Sequence, residues 1–150
     1  MKSFVKSNLA ACAIAFAILS IVVITSALSS SASPAQSAKI AHGKYIVEGV
    51  GMCGDCHTPR GEKGEPVPGK TLQGAVLGLK PIVPMPVWAD KTPNIAGLSS
   101  WTDGQAVKFL MTGIAYNDLH SRPPMPQYRM NRQDAEAVVA YLRSLAPPDK

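Results

Sequence analysis

The stretch Cys53-Gly-Asp-Cys-His57 decides how this chain of 150 residues is interpreted. Its C-x-x-C-H spacing is the signature of covalent c-type haem attachment. Two thiols three residues apart near the end of a helix can each form a thioether to one haem vinyl group, and the adjacent imidazole then lies under the iron as an axial ligand. The motif therefore predicts one haem, attached through Cys53 and Cys56, with His57 bound to the metal.

Other chemistries also use paired cysteines, and the rest of the chain argues against them. A thioredoxin-like redox motif would need a βαβ setting, which the flanking sequence does not offer. A zinc site would need four ligands, and there is no second cysteine pair. The third cysteine, Cys12, lies in an N-terminal apolar segment, so no disulfide framework exists. A disulfide between Cys53 and Cys56 is the remaining structural alternative.

Residues 1–28 predict a signal-anchor or a signal peptide. Two lysines are followed by twenty uncharged, mostly apolar residues, 9–28. At about 1.5 Å per residue they span about 30 Å, enough to cross a bilayer. Secretory apolar regions are usually about 7–15 residues long, so the length favours an uncleaved anchor. Small residues at 25–27 and 30–32 offer cleavage sites and keep the signal peptide as the alternative.

The positive N-terminus predicts that the rest of the chain is exported. We therefore expect it at the periplasmic side of the inner membrane, anchored through residues 9–28, or soluble in the periplasm if the leader is cleaved. From Ser33 onward, thirteen Lys and Arg oppose ten Asp and Glu, a net charge of +3 without any basic run. This weak, diffuse charge suits an acidic protein partner and does not favour nucleic acid.

The exported part divides into a Ser/Ala-rich linker, 29–38, and a domain, 39–150. Three helices are predicted in the domain. The first covers 40–51, with Gly43, Ile46, Val47 and Val50 on one face. The second is capped by Thr102 and Gln105. The third follows Asn131 and buries a stripe of five apolar residues: Ala135, Val138, Val139, Leu142 and Leu145. No strand pattern of useful length exists, so the predicted class is all-α.

Residues 60–98 carry six prolines and six glycines, a density that neither helix nor strand tolerates. Structureless stretches of this length are unusual inside a compact domain. A rigid apolar plate such as a porphyrin would explain this one, because the loop could wrap the plate. We expect seven aliphatic residues to do so: Leu72, Val76, Leu77, Leu79, Ile82, Val83 and Val87.

A helix ending in C-x-x-C-H, a long wrapping loop and a methionine before a C-terminal helix together resemble class I cytochromes c, over residues 39–147. Several phrases are similar to cytochrome subunits of bacterial periplasmic dehydrogenases: Cys56-His-Thr58 followed by Gly61, Thr92-Pro-Asn-Ile95, Pro124-Met-Pro126 and Ala140-Tyr-Leu-Arg-Ser-Leu145. The resemblance implies a single-haem class I fold after an N-terminal apolar helix. It also implies crossed N- and C-terminal helices, with Gly43 against Tyr141. Many relatives have two or three haem domains, whereas this chain has one motif.

The second axial ligand decides the chemistry, because a thioether there raises the potential and blocks exogenous ligands. The candidates are Met52, Met85, Met111, Met125, Met130, His42 and His120. Met125 is preferred because three prolines in Arg122-Pro-Pro-Met-Pro126 stiffen its backbone and lower the entropic cost of presenting the sulfur. It also lies where the axial methionine of the resembled family lies. Met85, between Pro84 and Pro86, is its main rival.

We therefore expect a one-electron carrier with one covalent haem c and no catalytic residues, either separate or as a subunit of a dehydrogenase complex. Its donor would be a periplasmic dehydrogenase and its acceptor an oxidase or another cytochrome. The alternative is a haem enzyme or a gas or peroxide sensor with a labile sixth ligand. Trp88 and Trp101 could each donate to a haem propionate, although packing explains them equally well, and Asn94 is left without a role.

Overall fold

The computed structural model describes residues 33–146, so the predicted leader, 1–28, and the first residues of the predicted linker lie outside it. Within these residues there are four α-helices and no strand, which confirms the predicted all-α class. The helices are α1 (Pro34–Tyr45), α2 (Cys53–His57), α3 (Asp103–Thr112) and α4 (Arg132–Ser144). None of these described helices is long and apolar enough to span a membrane.

The first helix begins earlier than predicted, at Pro34 rather than at residue 40, and so includes residues 34–38 of the predicted linker. Proline suits the first turn of a helix because the N–H that it lacks would have no partner there. The Ser/Ala composition that predicted a linker is therefore also compatible with a helical start.

The end of the first helix explains why one residue of the predicted buried face is exposed. After α1 the chain makes one wider turn, Ile46–Val50, in which the N–H of Gly51 donates to the carbonyl of Ile46 over 2.7 Å. This turn takes five residues instead of four, so it rotates the following side chains around the axis. Ile46 and Val47 are buried as predicted, but Val50 is exposed.

Gly43 lies where the backbones of α1 and α4 approach closely. A Cβ atom at this position would overlap the carbonyl oxygen of Ala137 and would lie 2.9 Å from the Cβ of Tyr141. The two helices approach this closely only because residue 43 has no side chain. The predicted pairing of Gly43 with Tyr141 is therefore confirmed. The Tyr141 hydroxyl also donates a 2.5 Å hydrogen bond to Glu48.

Both helix caps predicted from the sequence are formed. The Thr102 hydroxyl accepts a hydrogen bond from the Gln105 N–H, while the Gln105 side chain accepts one from the Thr102 N–H. The Asn131 side chain accepts one from the Asp134 N–H at 2.9 Å. Four of the five predicted α4 residues are buried, namely Ala135, Val138, Val139 and Leu142, and Leu145 follows the helix end, partly buried.

Arg143 joins the last helix to the segment before α3. Its Nη1 donates to the carbonyls of Gly97 and Leu98, both at 2.8 Å, and its Nε donates to Asp103 at 2.8 Å. Since Leu98 belongs to the buried core, this guanidinium fixes one side of the core.

Candidate functional site

An apolar cavity of about 440 Å³ lies between the helices and the long loop. All four predicted site residues line it: Cys53, Cys56, His57 and Met125. Met125 follows His57 by 68 positions, so the fold brings distant residues to one site. The rival Met85 is not among the lining residues.

His57 is buried and held in one orientation. Its Nδ1 lies 2.9 Å from the carbonyl oxygen of Pro93, and a carbonyl can only accept, so Nδ1 carries the proton. The other ring nitrogen, Nε2, is then free to bind a metal. Burial lowers the pKa of His57, and the Pro93 carbonyl opposes this only partly. The imidazole is therefore kept neutral, which is the form that ligates metals.

The long loop is fastened to the helix that carries the motif. The Thr92 hydroxyl donates to the Cys56 carbonyl and accepts from the Ala75 N–H, each at 2.9 Å. The Gly74 N–H donates to the His57 carbonyl at 2.7 Å. These bonds use the last carbonyls of α2, which have no partner inside so short a helix.

Two residues of this attachment have unusual backbone conformations. Gly74 has a φ of +86°, and a Cβ there would lie 2.7 Å from the Thr92 carbonyl oxygen. Leu72 is fully buried with a φ of +60°. Its N–H donates to the Thr58 hydroxyl at 3.0 Å, and its carbonyl accepts from the Ile95 N–H at 2.9 Å. Such bonds hold a conformation that normally costs about 1–3 kcal/mol.

The expectation that seven aliphatic loop residues wrap the cofactor is wrong for five of them. Leu72 is buried in the core and Leu77 lines the cavity. The other five are exposed: Val76, Leu79, Ile82, Val83 and Val87. For four of them the reason is geometric: the Leu77 N–H donates to the Asp90 carbonyl and the Ala89 N–H to the Pro123 carbonyl, both at 2.8 Å, so residues 78–88 between them leave the domain as an excursion. Val76 directly precedes this excursion.

Three methionines line the cavity, namely Met52, Met125 and Met130. Met52 is more than half exposed and directly precedes Cys53, whereas Met130 packs against the hydrophobic core. Neither rival histidine lines the cavity: His42 pairs with Asp134 at 2.8 Å, and His120 lies 3.4 Å from Gln127.

The polar residues of the cavity suit a ligand with a large apolar body and carboxylates. Lys91 and Arg122 line it, and neither side chain has an ion pair or hydrogen bond within residues 33–146. Asp55 is the one carboxylate among the described lining residues, and it is already paired with Arg60 at 3.0 Å. A haem has this character: an apolar ring with two propionates.

The two tryptophans have different surroundings, and only Trp101 lines the cavity. The indole of Trp88 donates to the Leu79 carbonyl at 3.2 Å, so this N–H is already used. Trp101 lines the cavity and packs against Phe109, with ring centroids 5.3 Å apart and ring planes tilted by 60°. Asn94, which lines the cavity too, accepts from the Ala96 N–H at 2.9 Å and so shapes the turn after Pro93.

Sequence reasoning missed Tyr128, Lys91 and the role of Thr92. The Tyr128 hydroxyl donates to the Gly51 carbonyl at 3.0 Å beside the cavity, and burial raises its pKa to about 12. The phrase Thr92-Pro-Asn-Ile95 marked Thr92 only as part of a resemblance. The bonds of Thr92 and Tyr128 join residues 17 to 77 positions apart, which no local pattern predicts.

The four helices and the cavity define a small all-α domain built around an apolar prosthetic group. Residues 40–146 match the cytochrome c family, and the chain belongs to that family. Proteins of this family are electron-transfer modules with covalently bound haem c, so the domain carries this cofactor and the residues of the cavity fit it. The number of haems and the identity of the ligands remain sequence predictions.

Several relatives are cytochrome subunits of bacterial dehydrogenases. The fructose dehydrogenase cytochrome subunit of Gluconobacter japonicus is 32% identical over 113 residues, covering 69% of this chain and 21% of that protein. The alcohol dehydrogenase (quinone) cytochrome c subunit of Gluconobacter oxydans is 35% identical over 124 residues, covering 71% and 24%. A diheme cytochrome c-type protein of Cereibacter sphaeroides is 30% identical over 107 residues, covering 67% and 33%. The chain thus spans about a fifth to a third of the length of these relatives.

Proposed function

We propose that this domain accepts single electrons from a periplasmic dehydrogenase and passes them to an oxidase or another cytochrome. The observation that carries the proposal is the joint placement of two thiols, a buried neutral imidazole and a thioether on one apolar cavity. In this proposal Cys53 and Cys56 would hold the haem covalently, and His57 and Met125 would supply the nitrogen and the sulfur that bind its iron. The names of the relatives support a dehydrogenase as the donor.

The chain's own residues would act by holding and shielding the cofactor. When bound, haem c supplies one reversible Fe(III)/Fe(II) step. The Pro93 carbonyl fixes the ring of His57, and apolar side chains such as Leu98 and Leu142 exclude water. Lys91 and Arg122 are the cations available to the propionates. No acid or base is needed for such a transfer, so the domain itself would not be an enzyme.

The first test concerns the sixth ligand. Met125→Leu keeps the volume of the side chain but removes the sulfur, so we expect loss of the Met–Fe(III) charge-transfer band and a gain of carbon monoxide binding. Met130→Leu and Met85→Leu are the matched controls and should leave the absorption spectrum unchanged. If the wild-type ferrous protein already binds carbon monoxide rapidly, the result supports a sensor or an enzyme and contradicts the electron carrier.

The second test concerns the donor. Membranes of the producing strain, deleted for this gene, would be given the purified holoprotein and an alcohol, fructose or gluconate. Reduction of the haem that requires one of these substrates supports a dehydrogenase as donor. Absence of reduction, with dithionite still reducing the same sample, contradicts it.

The proposed location, anchored at the periplasmic side of the inner membrane, has its own test. Intact mass of the protein in membrane and soluble fractions should give the full chain plus one haem in the membrane fraction. A soluble species shortened by about thirty residues would instead indicate a cleaved leader.

A further inference from the structure

The excursion between the cavity-lining residues Leu77 and Ala89 presents an unusual apolar surface. Six side chains on or beside it are 39–101% exposed, and we call them the exposed strip: Val76, Leu79, Ile82, Val83, Met85 and Val87. Single exposed apolar residues are ordinary, but six within twelve consecutive residues are typical of an interaction site. Three prolines, at 81, 84 and 86, limit the conformations of the strip, so little entropy is lost when a partner binds it.

The strip is continuous with the cofactor site. Both ends of the excursion, Leu77 and Ala89, line the cavity, and Lys91 lines it two residues further on. A molecule that covers the strip therefore lies next to the redox centre. This position is useful to an electron-transfer partner, whose own cofactor must come close.

The charges around the strip favour an acidic occupant. Between residues 66 and 102 there is one acidic residue, Asp90, against Lys70, Lys80 and Lys91. Lys80 lies within the strip and Lys91 at its base. Within residues 33–146 neither has an ion pair or a hydrogen bond. Lys91 lies at the cavity, where the proposed function assigns it to the propionates, so Lys80 is the lysine available to a partner's carboxylate.

The backbone of the excursion argues for a protein and against a bilayer. From residue 78 to residue 88, the Leu79 carbonyl is the only backbone group with a hydrogen bond among the described residues, and its donor is the Trp88 indole. Each unpaired N–H or C=O placed in hydrocarbon costs several kcal/mol. A protein surface with its trapped water can satisfy these groups.

We propose that the exposed strip is the docking surface for the redox protein that exchanges electrons with this domain. The partner covers Ile82 and Val83 with apolar side chains and places a carboxylate opposite Lys80. This inference rests on the proposed function, because it presumes that the domain exchanges electrons with another protein.

The test measures reduction of the full-length holoprotein by the substrate-fed membranes described above. The double variant Ile82→Ser/Val83→Ser should lower the second-order rate at least tenfold, while reduction by ascorbate stays unchanged. The control Tyr45→Ser/Leu119→Ser removes two apolar side chains that are also mostly exposed, 65% and 64%, but lie outside the strip, and it should keep the wild-type rate. Equal rates for the strip variant and the wild type would overturn the proposal.

A charge variant tests the acidic partner. Lys80→Glu should lower the same rate and weaken its dependence on ionic strength, because attraction is replaced by repulsion. Lys63→Glu, at an exposed lysine of another loop segment, is the control and should change neither. A higher rate in Lys80→Glu would overturn the proposal that the partner presents carboxylates to the strip.

Three further outcomes separate other occupants from the proposed one. If dissolving the membranes in detergent abolishes the difference between wild type and Ile82→Ser/Val83→Ser, the strip binds lipid and the proposal fails. If the wild type sediments as a dimer and the strip variant as a monomer, a second copy is the occupant and the proposal also fails. If the membranes do not reduce the wild type at all, the result contradicts the proposed donor, and the docking proposal, which rests on it, is contradicted as well.

Discussion

At the scale of single residues, the attachment of the long loop to α2 depends on two small residues, Thr92 and Gly74. Thr92 uses one hydroxyl to join the Cys56 carbonyl to the Ala75 N–H. Gly74 reaches the His57 carbonyl because it has no Cβ to collide with the Thr92 carbonyl. These two residues therefore fix the backbone carbonyls of Cys56 and His57, next to the predicted iron ligand.

Gly74→Ala tests this attachment. The new Cβ would meet backbone atoms at 2.7–2.9 Å and would force an L-residue into a φ of +86°. We expect a loss of at least about 2 kcal/mol in the free energy of unfolding, measured by denaturant titration of the holoprotein. Gly78→Ala is the control, since nothing lies within 4 Å of its Cβ, and it should stay within about 0.5 kcal/mol of the wild type. Equal losses in both variants would contradict the role of Gly74.

At the scale of elements, the contact between α1 and α4 depends on one missing side chain. Gly43→Ala places a methyl group on the Ala137 carbonyl, so the helices must move apart. We expect about 1–3 kcal/mol of destabilisation, seen as a lower Tm. Gly104→Ala is an informative control within α3: its Cβ meets nothing within 4 Å, and the better helix propensity should make it neutral or stabilising by up to about 1 kcal/mol. Destabilisation by Gly104→Ala alone would reverse this account.

Arg143 provides the second test between elements. Its guanidinium serves the carbonyls of Gly97 and Leu98 and the carboxylate of Asp103. Removing it in Arg143→Gln leaves these acceptors without a charged donor, and we expect a loss of about 2–3 kcal/mol. Arg132→Gln, at a mostly exposed arginine of the same helix, should change stability by less than about 0.5 kcal/mol. Chemical denaturation of both variants measures the two changes in the free energy of unfolding.

At the scale of the whole molecule, stability at high pH depends on Tyr141. Burial, as the larger cause, and the hydrogen bond to Glu48 together raise the pKa of this phenol to about 12. An unfolded tyrosine ionises near pH 10, so the unfolded state loses its proton first. The stabilisation is therefore complete below pH 10 and is lost as the pH rises from about 10 to about 12.

Comparison with Tyr141→Phe isolates this effect from the other groups that titrate in alkali. Unfolding free energies measured at several pH values should fall more steeply for the wild type than for Tyr141→Phe above pH 10. Parallel curves would show that Tyr141 does not link folding to pH in this range.

Residues of the cavity could be found locally, because the predicted attachment motif places two thiols and an imidazole within five residues. Cys53, Cys56 and His57 form one short motif, and the prolines around Met125 stiffen a segment that the fold then places on the same cavity. The caps at Thr102 and Asn131 were predictable for the same reason, since each satisfies backbone groups within three residues.

Contacts between distant segments could not be predicted in this way. Nothing near Thr92 in sequence indicates that its hydroxyl meets Cys56, and nothing near Ile82 shows that an aliphatic residue there would be exposed. Apolar character predicts burial only when the chain can return to the core. Here the backbone bonds at Leu77 and Ala89 direct residues 78–88 outward. The sequence alone thus determined the chemistry of attachment and the class of fold, whereas the tertiary structure decided which loop residues enclose the cavity and which remain available to a partner.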